Sequence, residues 1–283
     1  MPEALLSRRA LLAEATATLA SAGIPAPRRE ALRLWGELRS SAAEVMLEGE
    51  TEAEPELAAA LREATRRRAA GEPMAHVVGR HGFRTLTLRT DGRALIPRPE
   101  TEGLVELLLG KVGGGRVADI GAGTGCIALS LAAEGDFEQV TAMDSSAEAL
   151  ALAKENRDAL GLRVSLVRAD LCAPLRPRSM DAVISNPPYL TEGEYAELDA
   201  SVKAWEPAAA LVSGPDGLHA TMRLLREARE VLRPGGWLAV ELDCSRAAAV
   251  GATAGSLGWM DVAIHADLFG RERYLLARRS AES

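Results

Sequence analysis

Short apolar runs alternate with helical stretches through the last two thirds of the chain. We predict seven strands, at 117–120, 139–143, 163–168, 181–185, 237–242, 262–265 and 273–277. Helices are predicted between them, at 126–133, at 147–160, at 216–232, and in an alanine-rich segment that ends before residue 258. Alternating strands and helices predict an α/β fold in which a doubly wound sheet ends in a hairpin.

The first 72 residues follow a different pattern, in which leucines recur at helical spacing. The segment around 23–25 and a glycine at 49 interrupt this pattern, so several short helices are expected. We therefore predict three parts, which are a small helical domain at 1–72, a linker at 73–98 and an α/β domain at 99–283. In the linker, alternating residues before Asp91-Gly92 predict a β-hairpin with its turn at that pair.

A glycine-rich turn follows the first predicted strand of the α/β domain. Glycines permit positive φ angles and close approach of a ligand to the backbone, and the following helix directs its N-terminus at the same place. The dinucleotide fingerprint requires another glycine or alanine where Cys126 stands, so the spacing favours S-adenosylmethionine over NAD. The candidate cofactor contacts in and before the turn are Asp119, Gly121, Ala122, Gly123, Thr124 and Gly125.

The next two strands end in residues suited to the rest of such a cofactor. The second strand ends at Asp144, whose carboxylate can accept hydrogen bonds from both hydroxyls of a ribose. Asp144 could instead cap the next helix, but Ser145 or Ser146 can do so equally well. After the third strand, Asp170 could reach an adenine amino group, and Leu171 could cover the adenine ring.

The fourth strand is followed by Asn186-Pro187-Pro188-Tyr189. Each proline fixes its own φ and lacks an N–H, and the residue before a proline is held extended. The stiff segment that results suits a planar group bearing an NH2, because Asn186 and the Pro187 carbonyl can accept its protons while Tyr189 covers its plane. The alternative is a strand ended by prolines, with Tyr189 at an interface.

The glycine-rich turn and the Asn-Pro-Pro-Tyr segment both follow strands of one predicted sheet. Because ligands bind at the carboxyl edge of parallel strands, we expect the two motifs to lie side by side. This arrangement predicts a methyltransferase that acts on a planar nitrogen. The candidate catalytic residues are Asn186, Pro187 and Tyr189, with Pro188 as a further substrate contact and Asn186 also next to the cofactor.

Composition and charge argue against several classes of protein, namely membrane-spanning, metal-binding and nucleic-acid-binding proteins. The 283 residues are 47% hydrophobic, which is enough to bury a large core, yet charges interrupt every apolar stretch before the ~18–20 residues of a membrane span. Three scattered cysteines and four histidines show no disulfide or metal-ligand spacing. The net charge of −7 argues against a broad nucleic-acid surface. We expect a cytoplasmic protein without membrane segment, metal or direct nucleic-acid partner.

Several segments match a known family when they are taken together. They are Gly-Glu-Pro-Met-Ala-His-Val-Val-Gly at 71–79, Leu-Ile-Pro-Arg-Pro-Glu-Thr-Glu at 95–102, the glycine-rich turn, Asn-Pro-Pro-Tyr, and Asp-Leu-Phe-Gly-Arg-Glu-Arg at 267–273. With them the chain resembles the HemK/PrmC family, which methylates the glutamine side chain of peptide chain release factors. Asn-Pro-Pro-Tyr is shared with adenine and cytosine methyltransferases, whereas the segment at 95–102 is much more specific. The chain departs from the family at 242–246, where Gly and Gln usually follow the glutamate that ends the fifth strand.

The resemblance implies a class I, S-adenosylmethionine-dependent methyltransferase with a Rossmann-like seven-stranded sheet. It implies methylation of the side-chain nitrogen (N5) of the glutamine in the Gly-Gly-Gln loop of bacterial release factors, with S-adenosylhomocysteine as the second product. Arg98 and Glu100 would contact the substrate, the helical domain would recognise it, and the enzyme would be a monomer.

Other interpretations stay open at this point. The substrate could be a glutamine of a ribosomal protein, or the N6 nitrogen of adenine in DNA or RNA. A fold that only binds the cofactor or a protein is the non-catalytic alternative.

Overall fold

The computed structural model describes residues 6–39 and 49–281. Residues 1–5 and 40–48 of the predicted helical domain, and 282–283 at the end of the α/β domain, lie outside the described residues. The chain divides into two compact units. The smaller unit comprises Met1–Arg80 and Ala200–Trp205, and the larger comprises His81–Asp199 and Glu206–Ser283.

The α-helices of the described residues are α1 (Arg8–Ser21), α2 (Pro27–Arg39), α3 (Pro55–Ala69), α4 (Met74–Val78), α5 (Pro99–Leu109), α6 (Cys126–Glu134), α7 (Ala147–Leu160), α8 (Glu192–Glu197), α9 (Ala200–Trp205), α10 (His219–Val231) and α11 (Ala247–Ser256). The strands are β1 (Arg80–Phe83), β2 (Leu86–Arg89), β3 (Gly114–Ile120), β4 (Asp136–Asp144), β5 (Ser165–Arg168), β6 (Met180–Ser185), β7 (Leu232–Glu241), β8 (Trp259–Ala266) and β9 (Glu272–Arg279).

The smaller unit is helical because each of its longer helices buries one apolar face. Trp35 of α2 is fully buried in a core shared with α1 and α3. Pro27 and Pro55 stand at the starts of α2 and α3, where a missing N–H costs no hydrogen bond. The unit extends beyond the predicted boundary at residue 72, because Val77 of the short helix α4 is buried in the same core.

The linker hairpin is present, but its turn was predicted in the wrong place. Strands β1 and β2 pair with each other, and Arg84 between them has a φ of +50°. Long-range contacts stabilise this turn, because the Arg84 N–H donates to Glu102 Oε1 (3.0 Å) and its guanidinium pairs with Glu134 (2.6 Å). Asp91-Gly92 follows β2 instead, where Asp91 accepts the Arg93 N–H at 3.1 Å.

The seven other strands form one sheet in the order β5-β4-β3-β6-β7-β9-β8. The neighbours from β5 to β7 run parallel, and β9 is antiparallel to both β7 and β8. This sheet confirms the predicted α/β, Rossmann-like class with its terminal hairpin. The order reverses between β3 and β6, and ligands bind at such a switch point in open α/β sheets.

Helices cover both faces of the sheet. Along β6, Val183 faces a core shared with α10 and α11, whereas Ala182 and Ile184 face a core shared with α5 and α6. This alternation explains why β6 is apolar almost throughout. None of the described helices has the combination of length and apolar character that a bilayer-spanning helix needs.

Helix α7 matches its predicted bounds, and β7 does not. Gly161 ends α7 in the left-handed region, with a φ of +65°. The Arg-Pro-Gly-Gly segment at 233–236, which separates the predicted helix at 216–232 from the predicted fifth strand, lies within β7. The register between β6 and β7 shifts there, from Met180 opposite Leu232 to Ala182 opposite Trp237, so the segment is a bulge.

Asn156 of α7 connects the hairpin to the glycine-rich turn. Its buried side chain donates to the carbonyls of Arg89 (3.1 Å) and Thr124 (3.0 Å) and accepts the Arg89 N–H (2.7 Å). One amide thereby satisfies polar groups of the end of β2 and of the turn.

We expect Asn156→Ala to lower the free energy of unfolding by about 3 kcal/mol, because it leaves the buried Thr124 carbonyl and the part-buried N–H and carbonyl of Arg89 without this partner. Urea denaturation of the full chain measures the change. Lys154→Gln in the same helix is the control, since its ion pair with Asp158 is exposed and should contribute within about 0.5 kcal/mol. A loss below about 1 kcal/mol for Asn156→Ala would contradict this role.

Candidate active site

A cavity of about 320 Å³ opens at the carboxyl edge of the sheet, where β3 and β6 end. Ile120 pairs with Ser185 at the ends of these strands, so Gly121 and Asn186 begin neighbouring loops. The Ser185 hydroxyl also donates to the Ile120 carbonyl at 2.7 Å. Ten of the predicted site residues line this cavity, namely Arg98, Gly121, Ala122, Gly123, Thr124, Asp144, Asp170, Leu171, Asn186 and Pro188.

The glycine-rich turn is held by strand β4. The N–H groups of Gly121 and Ala122 both donate to the Met143 carbonyl, at 2.8 and 2.9 Å. The φ angles of Gly121 and Gly123 are +74° and +55°, which other residues adopt only with strain. A Cβ on Gly121 would meet no atom within 4 Å, so the missing side chain leaves open space beside the cavity.

Asp144 takes part in building the turn as well as lining the cavity. Its Oδ2 accepts the Gly123 N–H at 2.9 Å, and its Oδ1 accepts the Ser146 N–H at 2.8 Å. Ser146 is the N-cap of α7, since its hydroxyl oxygen accepts the Ala149 N–H at 3.1 Å. Each carboxylate oxygen has a second lone pair, which remains for a ligand hydroxyl.

Five predicted site residues lie outside the lining, and two of them support the turn. Asp119 is completely buried, and its Oδ2 accepts the Ala128 N–H in the first turn of α6 at 3.0 Å. Burial raises the pKa of the Asp119 carboxyl to about 7. Gly125 precedes α6 with a φ of +83°, and a Cβ there would stand 3.1 Å from Leu129 Cδ1.

The other three, Glu100, Pro187 and Tyr189, are chain neighbours of the lining residues Thr101, Asn186 and Pro188. Pro187 is buried and Tyr189 is partly buried, and burial together with the nearby Glu241 raises the pKa of the Tyr189 phenol to about 12. The Glu100 carbonyl accepts the Tyr274 hydroxyl at 2.5 Å. This bond fixes the start of α5 against β9, and Gly103 permits the contact because a Cβ there would stand 2.6 Å from Tyr274 Oη.

Two ion pairs at the cavity involve residues that sequence reasoning missed. Arg98 pairs with Glu206 (2.7 Å), whose carboxylate is almost fully buried and also accepts the Ile96 N–H (3.1 Å). Asp170 pairs with Arg223 of α10 at 3.0 Å, on the exposed side of the cavity. Glu206 lies between a tryptophan and a proline, and Arg223 lies on an ordinary amphipathic helix. No sequence motif therefore marked either residue as part of the site.

Thr101 and Glu241 also escaped the set of predicted site residues. Asn186 Nδ2 donates to Thr101 Oγ1 at 3.1 Å, and Thr101 Oγ1 donates to Glu241 Oε2 at 2.7 Å. Two sequence features could have identified these residues. Thr101 belongs to the family-specific segment 95–102, and Glu241 is the glutamate that ends β7. Burial raises the pKa of the Glu241 carboxyl to about 7, although the Thr101 hydrogen bond and Arg273 act in the opposite direction.

Residues 242–246, where the chain departs from the family pattern, include a side chain with a structural role. Arg246 Nη2 lies 2.8 Å from both carboxylate oxygens of Glu194 in α8, and its Nε donates to the Asp216 carbonyl at 2.8 Å. Helix α8 begins three residues after Tyr189, so Arg246 holds the segment that leaves the Asn-Pro-Pro-Tyr corner. Within the described residues, no group of three or more His, Cys, Asp or Glu side chains is placed to hold a metal ion.

Residues 99–213 match the methyltransferase small domain family, and residues 10–79 match the PrmC N-terminal domain family. A release factor glutamine methyltransferase of Deinococcus radiodurans is 41% identical over 276 residues, which are 96% of this chain and 98% of that protein. A release factor glutamine methyltransferase of Moorella thermoacetica is 39% identical over 284 residues, which cover 98% of this chain and 100% of that protein. A solved methyltransferase structure from Pyrococcus furiosus has a TM-score of 0.52 at 20% identity, covers 68% of this chain and 88% of that chain, and shares the fold.

We expect Glu206→Ala to loosen the segment before α5, because the Ile96 N–H and Arg98 lose their buried partner. Hydrogen exchange followed by mass spectrometry should show the Ile96 amide exchanging at least about tenfold faster. Glu197→Ala, which removes an exposed carboxylate of α8, should leave that amide unchanged. Equal exchange in Glu206→Ala and the wild-type protein would show that Glu206 does not hold this segment.

Proposed function

The chain belongs to the release factor glutamine methyltransferases, and from that premise we propose its reaction. It transfers a methyl group from S-adenosylmethionine to the side-chain nitrogen (N5) of the glutamine in the Gly-Gly-Gln loop of a bacterial release factor. The observation that carries the proposal is that the glycine-rich turn and Asn186 line one cavity. We further propose that the enzyme acts as a cytoplasmic monomer without a direct nucleic-acid contact.

The residues around the glycine-rich turn fit S-adenosylmethionine. Gly121 and Gly123 leave the space beside the turn open, and Asp144 and Asp170 place carboxylates in the same cavity for hydroxyl and amino groups. Buried Asp119 Oδ1 has no hydrogen-bond partner among the described residues, so an acceptor remains beneath the turn. When bound, S-adenosylmethionine supplies an activated methyl group on a sulfonium.

The chain's own contribution is to position the amide nitrogen of the substrate. An amide nitrogen is a weak nucleophile because its lone pair is delocalised into the carbonyl. Asn186 Oδ1 and the Pro187 carbonyl each accept one N–H of the glutamine, which shifts electron density onto its nitrogen and fixes the direction of attack. Tyr189 packs on the amide plane. Its phenol stays neutral, since its pKa lies near 12.

No general base is needed before methyl transfer. The new N–C bond forms as the methyl group leaves sulfur, and the extra proton on nitrogen is lost to solvent afterwards.

The experiment is transfer of tritium from labelled S-adenosylmethionine to purified release factor, to ribosomes, or to an oligonucleotide. We expect label in the glutamine of release factor, and Asn186→Ala should lower turnover by about 100-fold, on the scale of a lost oxyanion-hole donor. Met260→Ser, on an exposed position of β8, should retain the wild-type rate. Label only in ribosomal protein or in adenine would replace the proposed substrate, and a near-normal Asn186→Ala rate would refute the amide contact.

Gly123→Val should weaken S-adenosylmethionine binding by at least about 100-fold, because a β-branched residue is strained at a φ of +55° and fills the cavity beside the turn. Isothermal titration calorimetry measures the affinity. Gly82→Val in β1 is the control, since a Cβ there meets no atom within 4 Å and its φ is not positive. Unchanged affinity in Gly123→Val would place the cofactor elsewhere.

A further inference from the structure

The amide of Asn186 can be placed in two orientations that differ by exchange of its oxygen and nitrogen. Only the orientation with Oδ1 toward the substrate can accept an N–H from a glutamine side chain. With Nδ2 in that place, two N–H donors would face each other. Something in the protein must therefore determine which end of Asn186 points at the substrate.

Three side chains from three separate elements form a hydrogen-bonded row at this point. Asn186 follows β6, Thr101 lies in the first turn of α5, and Glu241 ends β7 next to the end of β6. The row runs from Asn186 Nδ2 to Thr101 Oγ1 (3.1 Å) and from Thr101 Oγ1 to Glu241 Oε2 (2.7 Å). Thr101 is 2% exposed and Glu241 is 1% exposed, so the bond between these two side chains is shielded from water.

The ionised carboxylate dictates the direction of every bond in this row. A carboxylate has no proton to donate, so the Thr101 hydroxyl must donate to Glu241. The Thr101 oxygen then offers only lone pairs to Asn186, which has to present its NH2. Asn186 Oδ1 is left for the substrate.

From this geometry we infer that Thr101 and Glu241 are positioning residues that hold the Asn186 amide with its oxygen toward the glutamine amide of the substrate. The inference rests on the proposed function for the identity of that substrate. Neither residue touches the reacting atoms. Both act through Asn186, by fixing which of its two ends faces the substrate.

The same row responds to the protonation of Glu241. A protonated Glu241 can donate to Thr101, whose hydroxyl is then free to donate to Asn186 Oδ1, and the amide can turn its NH2 toward the substrate. Burial raises the pKa of Glu241 to about 7, so the carboxylate form dominates above neutral pH. The titratable and charged groups around it are Arg98, Glu100, Cys126, Tyr189, Arg273 and Tyr274.

Asp119, beneath the glycine-rich turn, is a second carboxyl whose pKa burial raises to about 7, so the Glu241→Gln variant decides which of the two sets the pH profile. Burial raises the pKa of Cys126, Tyr189 and Tyr274 to about 12 each. Burial acts to lower the pKa of Arg273, but its hydrogen bond to Asp267 and the nearby acidic groups raise that pKa above its ordinary value, so Arg273 stays cationic. Methylation activity should therefore rise with pH through about 7. As Glu241 ionises, the hydrogen bonds from Asn186 to Thr101 and from Thr101 to Glu241 can run in one direction only.

The test combines steady-state methylation of release factor with variants of the row. Thr101→Val keeps the shape of the side chain but removes the hydroxyl, and should lower kcat about tenfold with little change in the KM for S-adenosylmethionine. Thr101→Ser should restore kcat. Glu241→Gln should lower kcat and remove the rise through pH 7, because a neutral amide no longer imposes one direction. Thr221→Val, at another buried threonine outside the cavity lining, is the matched control and should retain the wild-type kcat.

A second measurement needs neither turnover nor a variant. In the wild-type protein without ligand, the side-chain NH2 signals of Asn186 should shift with pH in step with the Glu241 carboxyl resonance in NMR spectra. The inference would be overturned if the Asn186 NH2 signals did not shift as Glu241 titrates. It would also be overturned if the Thr101→Val enzyme had the wild-type kcat and pH profile. Failure of the wild-type protein to methylate release factor would instead overturn the proposed function, and the NMR titration would still decide the orientation of Asn186.

Discussion

The parallel pairing of β3 with β6 is the constraint on which the candidate site depends. These two strands are far apart in the sequence, and their register places Ile120 opposite Ser185, so the loops that follow start side by side. The buried Ser185 hydroxyl secures the same point by donating to the Ile120 carbonyl. A shift of the register by one residue would turn the apolar side chains of β6 to the opposite faces of the sheet, so the two cores on either side fix this alignment.

The segment 95–102, which leads into the first turn of α5, is held by two buried carboxylates. Glu206 accepts the Ile96 N–H and pairs with Arg98, while Glu241 accepts the hydroxyl of Thr101 one helical turn later. Burying a carboxylate is costly unless it is paired or hydrogen-bonded, and both of these are. The segment 95–102 is therefore a structural element of the site as well as a source of contacts. Its residues Arg98 and Thr101 line the cavity, and Glu100 does not.

The departure from the family pattern at 242–246 affects the support of the site rather than the cofactor turn. Arg246 pairs with Glu194 of α8 and donates to the Asp216 carbonyl, so it joins the loops that follow β6 and precede α10. At the neighbouring hairpin, Asp267 accepts the N–H groups of Phe269 and Arg271 and pairs with Arg273. These contacts order the loops at the carboxyl edge of the sheet, around the end of β7.

The sequence alone determined the elements and the two motifs, because hydrophobic periodicity, glycine-rich turns and prolines act over a few residues. It predicted the seven strands, the exact extent of α7 and ten of the residues that line the cavity. It misplaced the hairpin turn, since Arg84 holds a positive φ through contacts with residues 18 and 50 positions away. Only the tertiary structure decided that Glu206, Arg223, Thr101 and Glu241 belong to the site. Their partners lie 53 to 140 residues distant in the chain, and no local pattern encodes which side chains folding will bring within hydrogen-bond distance.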